Sequence, residues 1–201
     1  MPNLSFSEKQ TKDLNCGAFG LTAICNAFGL LPTKNIVELR HCDRIAVLAP
    51  SLTLTEVAEE IYRVTGDLMP TGGYSQEGEY LNSASAISYV AKQLGLRVTL
   101  NASEKIIIDL EKVFPGELMY CAEVANQMFI NNDVYDLPSP DECQLVVVAT
   151  FDNSYHWLAV GSNGVIYDPA TGKAHCNWAE LTATYERLSV WLSFSLTQEN
   201  A

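Results

Sequence analysis

Basic residues are scarce in this chain. Twelve Lys and Arg stand against 24 Asp and Glu, a formal net charge of −12. Binding a phosphate backbone needs a basic face, so nucleic acid is not an expected partner. No run approaches the roughly 18 consecutive apolar residues of a membrane helix, so no membrane partner is expected either. The opening stretch MPNLSFSEKQ has no basic start leading into an apolar segment and does not read as a signal peptide. Cys-x-x-Cys spacing is missing too. Cys16, Cys25, Cys42, Cys121, Cys143 and Cys176 are scattered and read as thiols of a reducing compartment. The expected location is cytoplasmic, or outside the cell by a route that uses no signal peptide. Two His-Cys pairs, His41-Cys42 and His175-Cys176, fit no usual zinc spacing, so neither metal nor cofactor is expected.

Apolar residues are plentiful, at 48% of 201 residues. That is enough for the core of one domain over residues 1–201, or of one domain built as two lobes around a cleft. The segment CGAFGLTAICNAFG, 16–29, reads as a helix apolar nearly all round, hence buried on every side, with Asn15 placed to cap it. Residues 53–65 open on Thr53-x-x-Glu56, a capping-box pattern, and read as a second helix ending at Gly66. Residues 65–78 read as a loop, and 79–94 as a third helix stopping at Gly95.

The second half shifts toward strands. They are expected at 96–100, 144–151, 156–162, 164–168 and 190–196, with turns at DNSY and SNG and a loop over 131–142. Asn153 and Ser154 read as turn residues. Residues 104–130 are ambiguous between helix and strand, and 177–188 contain a short helix. The fold class is therefore α+β, with a mainly helical lobe over 1–95 and a mainly antiparallel β lobe over 96–201.

Cys16 lies where a polar loop meets the first helix. The positive end of a helix favours a thiolate there, and a histidine able to hold the proton would complete an activated nucleophile. His156, at the start of a strand after a turn, is the best base. Asp168 ends the next strand and is the candidate to orient it. A two-residue turn would pair Ala159 with Asp168 and put His156 on the opposite face. A three-residue turn, Ser162-Asn163-Gly164, would pair Leu158 with Asp168 and bring His156 to the same face as a diagonal neighbour. The triad thus predicts the longer turn, with Gly164 at positive φ. Trp157 points away from His156 and reads as core. Cys25, half a turn out of phase with Cys16, reads as core as well.

Gln10, Cys16-Gly17 opening an apolar helix, His156 and Asp168 occur in an order that resembles the papain-like cysteine peptidases. His156 and Asp168 follow Cys16 by about 140 and about 150 positions, in or close to the papain-type range. The resemblance implies a papain-like fold, Cys16 as nucleophile, His156 as base and Asp168 as its orienting group. It also implies that Gln10, six positions before the cysteine, donates to the oxyanion together with the Cys16 N–H. The C-G-[SA]-C-[WY] context of papain itself is missing. NCGAFGLTA and HWLAV…YDPATG are more similar to the bacteriocin-processing peptidase branch. The implied activity is amide cleavage through an acyl-enzyme, on a protein or peptide substrate. The same scaffold also serves deamidases, acyltransferases and amidases, as in bacterial effectors and toxins, and it can persist as a catalytically silent binding module.

Overall fold

The computed structural model describes residues 1–131, 135–151 and 154–197. Asp152 and Asn153 of the expected DNSY turn, and residues 132–134 of the expected loop, lie outside the described residues. Helix α1 spans Cys16–Ala27 and is buried without a break from Cys16 to Cys25. Its polar interruption is satisfied internally, since the Thr22 hydroxyl donates to the Ala18 carbonyl at 2.8 Å. Gly20 lets the helix sit close on the sheet. A Cβ there would come within 2.4 Å of Leu145 Cδ2. Cys25 is in the core as expected, and burial pushes its thiol up.

A hairpin follows, β1 (Val37–His41) and β2 (Arg44–Leu48), which the helical reading of the first half did not anticipate. Helix α2 (Leu54–Thr65) begins with the expected capping box between Thr53 and Glu56. The presumed loop after it contains a short strand, β3 (Gly66–Leu68), that pairs with β4 (Leu81–Asn82). That pairing removes the first residues from the third expected helix. Helix α3 runs only over Ala84–Gln93, with Ser83 accepting the Ala86 N–H as its cap.

Strand β5 (Leu96–Ser103) leads into the ambiguous region, which resolves as α4 (Glu104–Val113), α5 (Glu117–Val124) and β6 (Gln127–Asn131). Then come β7 (Cys143–Thr150), β8 (Tyr155–Val160), β9 (Ile166–Asp168), β10 (Lys173–His175) and β11 (Tyr185–Leu196). The short helix expected within 177–188 is a single 3-10 turn, Trp178–Glu180. It ends because Tyr185–Arg187 are drawn into the sheet opposite Thr150–Val148.

Among the described residues the main sheet has the order β10-β9-β8-β7-β11-β5-β6. It is antiparallel except at β6, which runs parallel to β5 because α4 and α5 form a crossover between them. The sheet is therefore mixed rather than antiparallel throughout. The fold is α+β, with α1 laid against β7 and β8. One face of the sheet joins the helices in the larger core. Val146, Val148, Leu158 and Trp191 form a second core on the other.

Candidate active site

The hairpin between β8 and β9 decides which side chains meet. Ala159 pairs with Tyr167 and Val160 with Ile166, a register that continues to Leu158 opposite Asp168. The turn is the three-residue one. Val165 O accepts the Gly161 N–H at 2.9 Å, and Gly164 has φ 77°. His156 therefore lies diagonally across from Asp168 on one face. Its Nε2 donates to Asp168 Oδ1 at 2.9 Å, and its ring lines the same cavity as Cys16. Nδ1 is the ring nitrogen that Asp168 does not engage. Cys16 itself is the first residue of α1, and only 4% exposed.

Electrostatics follow from this placement. Burial alone pulls the His156 imidazolium down. Cys16 and Asp168 outweigh it, and the histidine is raised from 6.5 to about 9. Burial works against the Asp168 carboxylate too, but the bonds from His156, Ala170 and Thr171 hold it below its ordinary value. Asp168 is fully partnered. Oδ1 accepts the Ala170 N–H at 2.9 Å, and Oδ2 accepts the Thr171 hydroxyl at 3.0 Å. It starts a turn and faces His156 at once.

Two further residues complete the arrangement, neither signalled locally in the sequence. The Tyr185 hydroxyl donates to Asp168 Oδ2 at 3.2 Å, and its ring stacks on His156 with centroids 5.4 Å apart at 15°. Asn82 accepts the Ala18 N–H in the first turn of α1. The expected cap, Asn15, makes no side-chain bond to the helix. It is fully buried and braces the preceding loop instead, through Thr11 Oγ1 and the Lys12 N–H.

Gln10 is held beside the site, with its backbone N–H donating to Pro169 O at 2.9 Å. Its side-chain amide is turned inward. Nε2 donates to the carbonyls of Lys12 at 2.9 Å and Asp13 at 3.4 Å, and Oε1 is buried without a partner. Trp157 is half-buried rather than sealed in the core. Together with Cys16, His156, Asn82, Phe114 and Leu118 it lines a largely apolar cavity of about 80 Å³.

The remaining histidines are engaged elsewhere, His41 with Asp67 at 3.1 Å and His175 with Glu180 at 3.3 Å. Among the described residues no group of three or more His, Cys, Asp or Glu could hold a metal ion, and no helix is long and apolar enough to cross a membrane. A thiol at a helix start, an imidazole bonded to a carboxylate, and a cavity that thiol and imidazole both line are parts that nucleophilic acyl transfer requires.

The family model described as invasion plasmid antigen J, cysteine protease, matches residues 8–197. That match does not extend to the bacteriocin-processing branch. No curated protein and no solved structure matches the chain.

Proposed function

We propose a mechanism that starts from one premise: the chain belongs to the invasion plasmid antigen J family of cysteine proteases. It is thus a peptidase acting on protein substrates. In the proposed mechanism Cys16 is the nucleophile, His156 its base and Asp168 the group that orients the imidazole. The observation that carries this assignment is His156 itself, bonded to Asp168 at 2.9 Å and lining one cavity with Cys16 at the start of α1.

The sulfur attacks the scissile carbonyl carbon while His156 holds the thiol proton. The tetrahedral intermediate collapses as His156 gives that proton to the leaving amine, and a thioester to Cys16 remains. Water then attacks the thioester. His156 takes a proton from it and returns it to the departing sulfur, releasing the new carboxylate. The Cys16 N–H, free of an intrahelical partner at the first position of α1, is one oxyanion donor. Gln10 is the other, exchanging its longer bond, to Asp13 O, for the oxyanion.

Residues 1–201 act as one papain-like unit in this reading, which the family match along nearly the whole chain supports. The resemblance of NCGAFGLTA and YDPATG to the bacteriocin-processing branch supports the same superfamily. The description of the family as an invasion plasmid antigen supports an effector role. Deamidation, amidase chemistry and acyl transfer share the first half-reaction and differ only in the acyl donor or acceptor. A silent binding module would have no need of a buried, fully partnered Asp168 behind His156.

The test is N-terminal mapping of a proteome digested with wild type, Cys16→Ala and His156→Ala, with intact-mass detection of the thioester. New N-termini with wild type, reduced by at least about 10³-fold in both variants, are expected. Equal cleavage by Cys16→Ala would contradict the assignment.

A further inference from the structure

The helix that carries Cys16 is closed from outside itself. Asn82, in β4 and 4% exposed, accepts the Ala18 N–H through Oδ1 at 3.2 Å. Its Nδ2 donates to Thr65 Oγ1, the last residue of α2, at 2.7 Å. The Thr65 hydroxyl hydrogen is already given to Ile61 O at 3.0 Å. Oγ1 can therefore only accept from Asn82, which fixes the amide the right way round and aims Oδ1 at Ala18. The Asn82 backbone carbonyl in turn accepts the indole N–H of Trp157 at 3.3 Å, the residue next to His156. A single residue thus joins the first turn of α1 to the strand that bears the histidine.

Gly17 serves the same junction. A Cβ at position 17 would lie 2.6 Å from Asn82 Cβ and 2.8 Å from Ile87 Cδ1. Any larger residue after Cys16 would force Asn82 off the helix end. The glycine of the Cys-Gly pair has no positive φ to accommodate, so close approach is its structural reason.

We propose that Asn82 is a positioning residue for the Cys16–His156 pair, fixing the start of α1 against β8 and closing the helix end with a neutral acceptor. This rests on the reading of Cys16 as nucleophile. The neutrality matters. An aspartate would accept the same N–H but bring a negative charge to the positive end of the helix, where it opposes a thiolate on the residue two positions before Ala18. It would also have no hydrogen to give Thr65.

The experiment is limiting iodoacetamide labelling of Cys16, read by peptide mass spectrometry across about pH 4–9. It uses wild type, Asn82→Asp and Gly17→Ala, with thermal unfolding followed on each. Asn82→Asp is expected to unfold cooperatively and to move the Cys16 profile up by about one pH unit, which is about tenfold slower labelling below neutrality. Gly17→Ala leaves Asn82 chemically intact, favours the helix intrinsically, and is expected to slow Cys16 in the same pH range by displacing Asn82. If both variants fold and keep the wild-type profile, the role of Asn82 is overturned. If Asn82→Asp does not fold, Gly17→Ala decides alone. The wild type separately judges the underlying reading. A slow, ordinary thiol profile there removes the nucleophile and this inference with it, whereas a fast low-pH profile unchanged in the variants removes only Asn82.

Discussion

Tyr185 shows most clearly what a single residue contributes to this site. Its ring covers one face of the imidazole and its hydroxyl holds the second oxygen of Asp168. Tyr185→Phe keeps the stack and removes one hydrogen bond to a charged group. The expected loss is about tenfold in kcat/KM, in line with about 1.5 kcal/mol for such a bond. Tyr185→Ala also uncovers the ring and is expected to lose more. Equal activity in all three proteins would mean that neither the stack on His156 nor the bond to Asp168 serves the reaction. His156 sets the pH dependence. Its folded value, about 9, lies above its ordinary 6.5. The stability it contributes is therefore complete below 6.5 and is lost as pH rises through about 9. Asp168, lowered on folding, contributes stability above the ordinary carboxylate range and loses it as pH falls through its lowered value. In the proposed mechanism a pH profile of kcat/KM is expected to show an alkaline limb near 9, as His156 loses the proton that the proposal sends to the leaving amine. An alkaline limb near 6.5 would mean that Cys16 and Asp168 do not hold that proton.

At the scale of elements, α5 is fastened by one buried carboxylate. Glu117 accepts the Ser85 N–H at 2.7 Å and the Ser85 hydroxyl at 3.1 Å, and Tyr74 OH donates to it as well. Burial raises Glu117, against the donors that hold it down. Glu117→Ala leaves the Ser85 N–H, at the start of α3, without its acceptor. It is expected to destabilise the protein by about 2–3 kcal/mol in urea unfolding. A change under about 0.5 kcal/mol would place α5 among surface elements. Elements with local signals were legible in the sequence. The Thr53 capping box, the apolar run of α1 and the Gly164 turn each carry their cause within a few residues. The site geometry followed from that turn, because a one-residue change in loop length moves His156 to the other face. Where distant pairing decides, the reading failed. Asn82 falls in the span expected as the third helix, which β3 pairing shortens to start at Ala84, and Tyr185 falls in the 177–188 segment expected to contain only a short helix, where β7 pairing extends β11 back to Tyr185. Both make their hydrogen bonds near Cys16 and His156 with partners remote in sequence, so no local pattern marked them. Asn15 looked like a cap from its position alone, but its side chain is turned into the loop before the helix.

For the whole molecule, the sheet divides two apolar cores. Cys16, at the N-terminus of α1, and His156, near the start of β8, line one cavity. The excess of acidic residues, 24 against 12 basic, adds self-repulsion to the folded state. Raising salt from about 0.01 to about 0.15 M shortens the Debye length from about 30 to about 8 Å and is expected to raise the thermal midpoint. A lower midpoint would mean that favourable surface pairs outweigh the net charge. The α+β class was visible in composition and order, while the parallel β6 edge was not, because the α4–α5 crossover fell in a stretch without clear periodicity. Cys16 as the nucleophile is tested most directly by limiting iodoacetamide labelling, followed across pH on wild type and His156→Ala. That role requires rapid modification of Cys16 ahead of the other cysteines at about pH 5–6, lost in the variant. Slow labelling shared among several cysteines, rising only near about 8.5 like a free thiol, would contradict it.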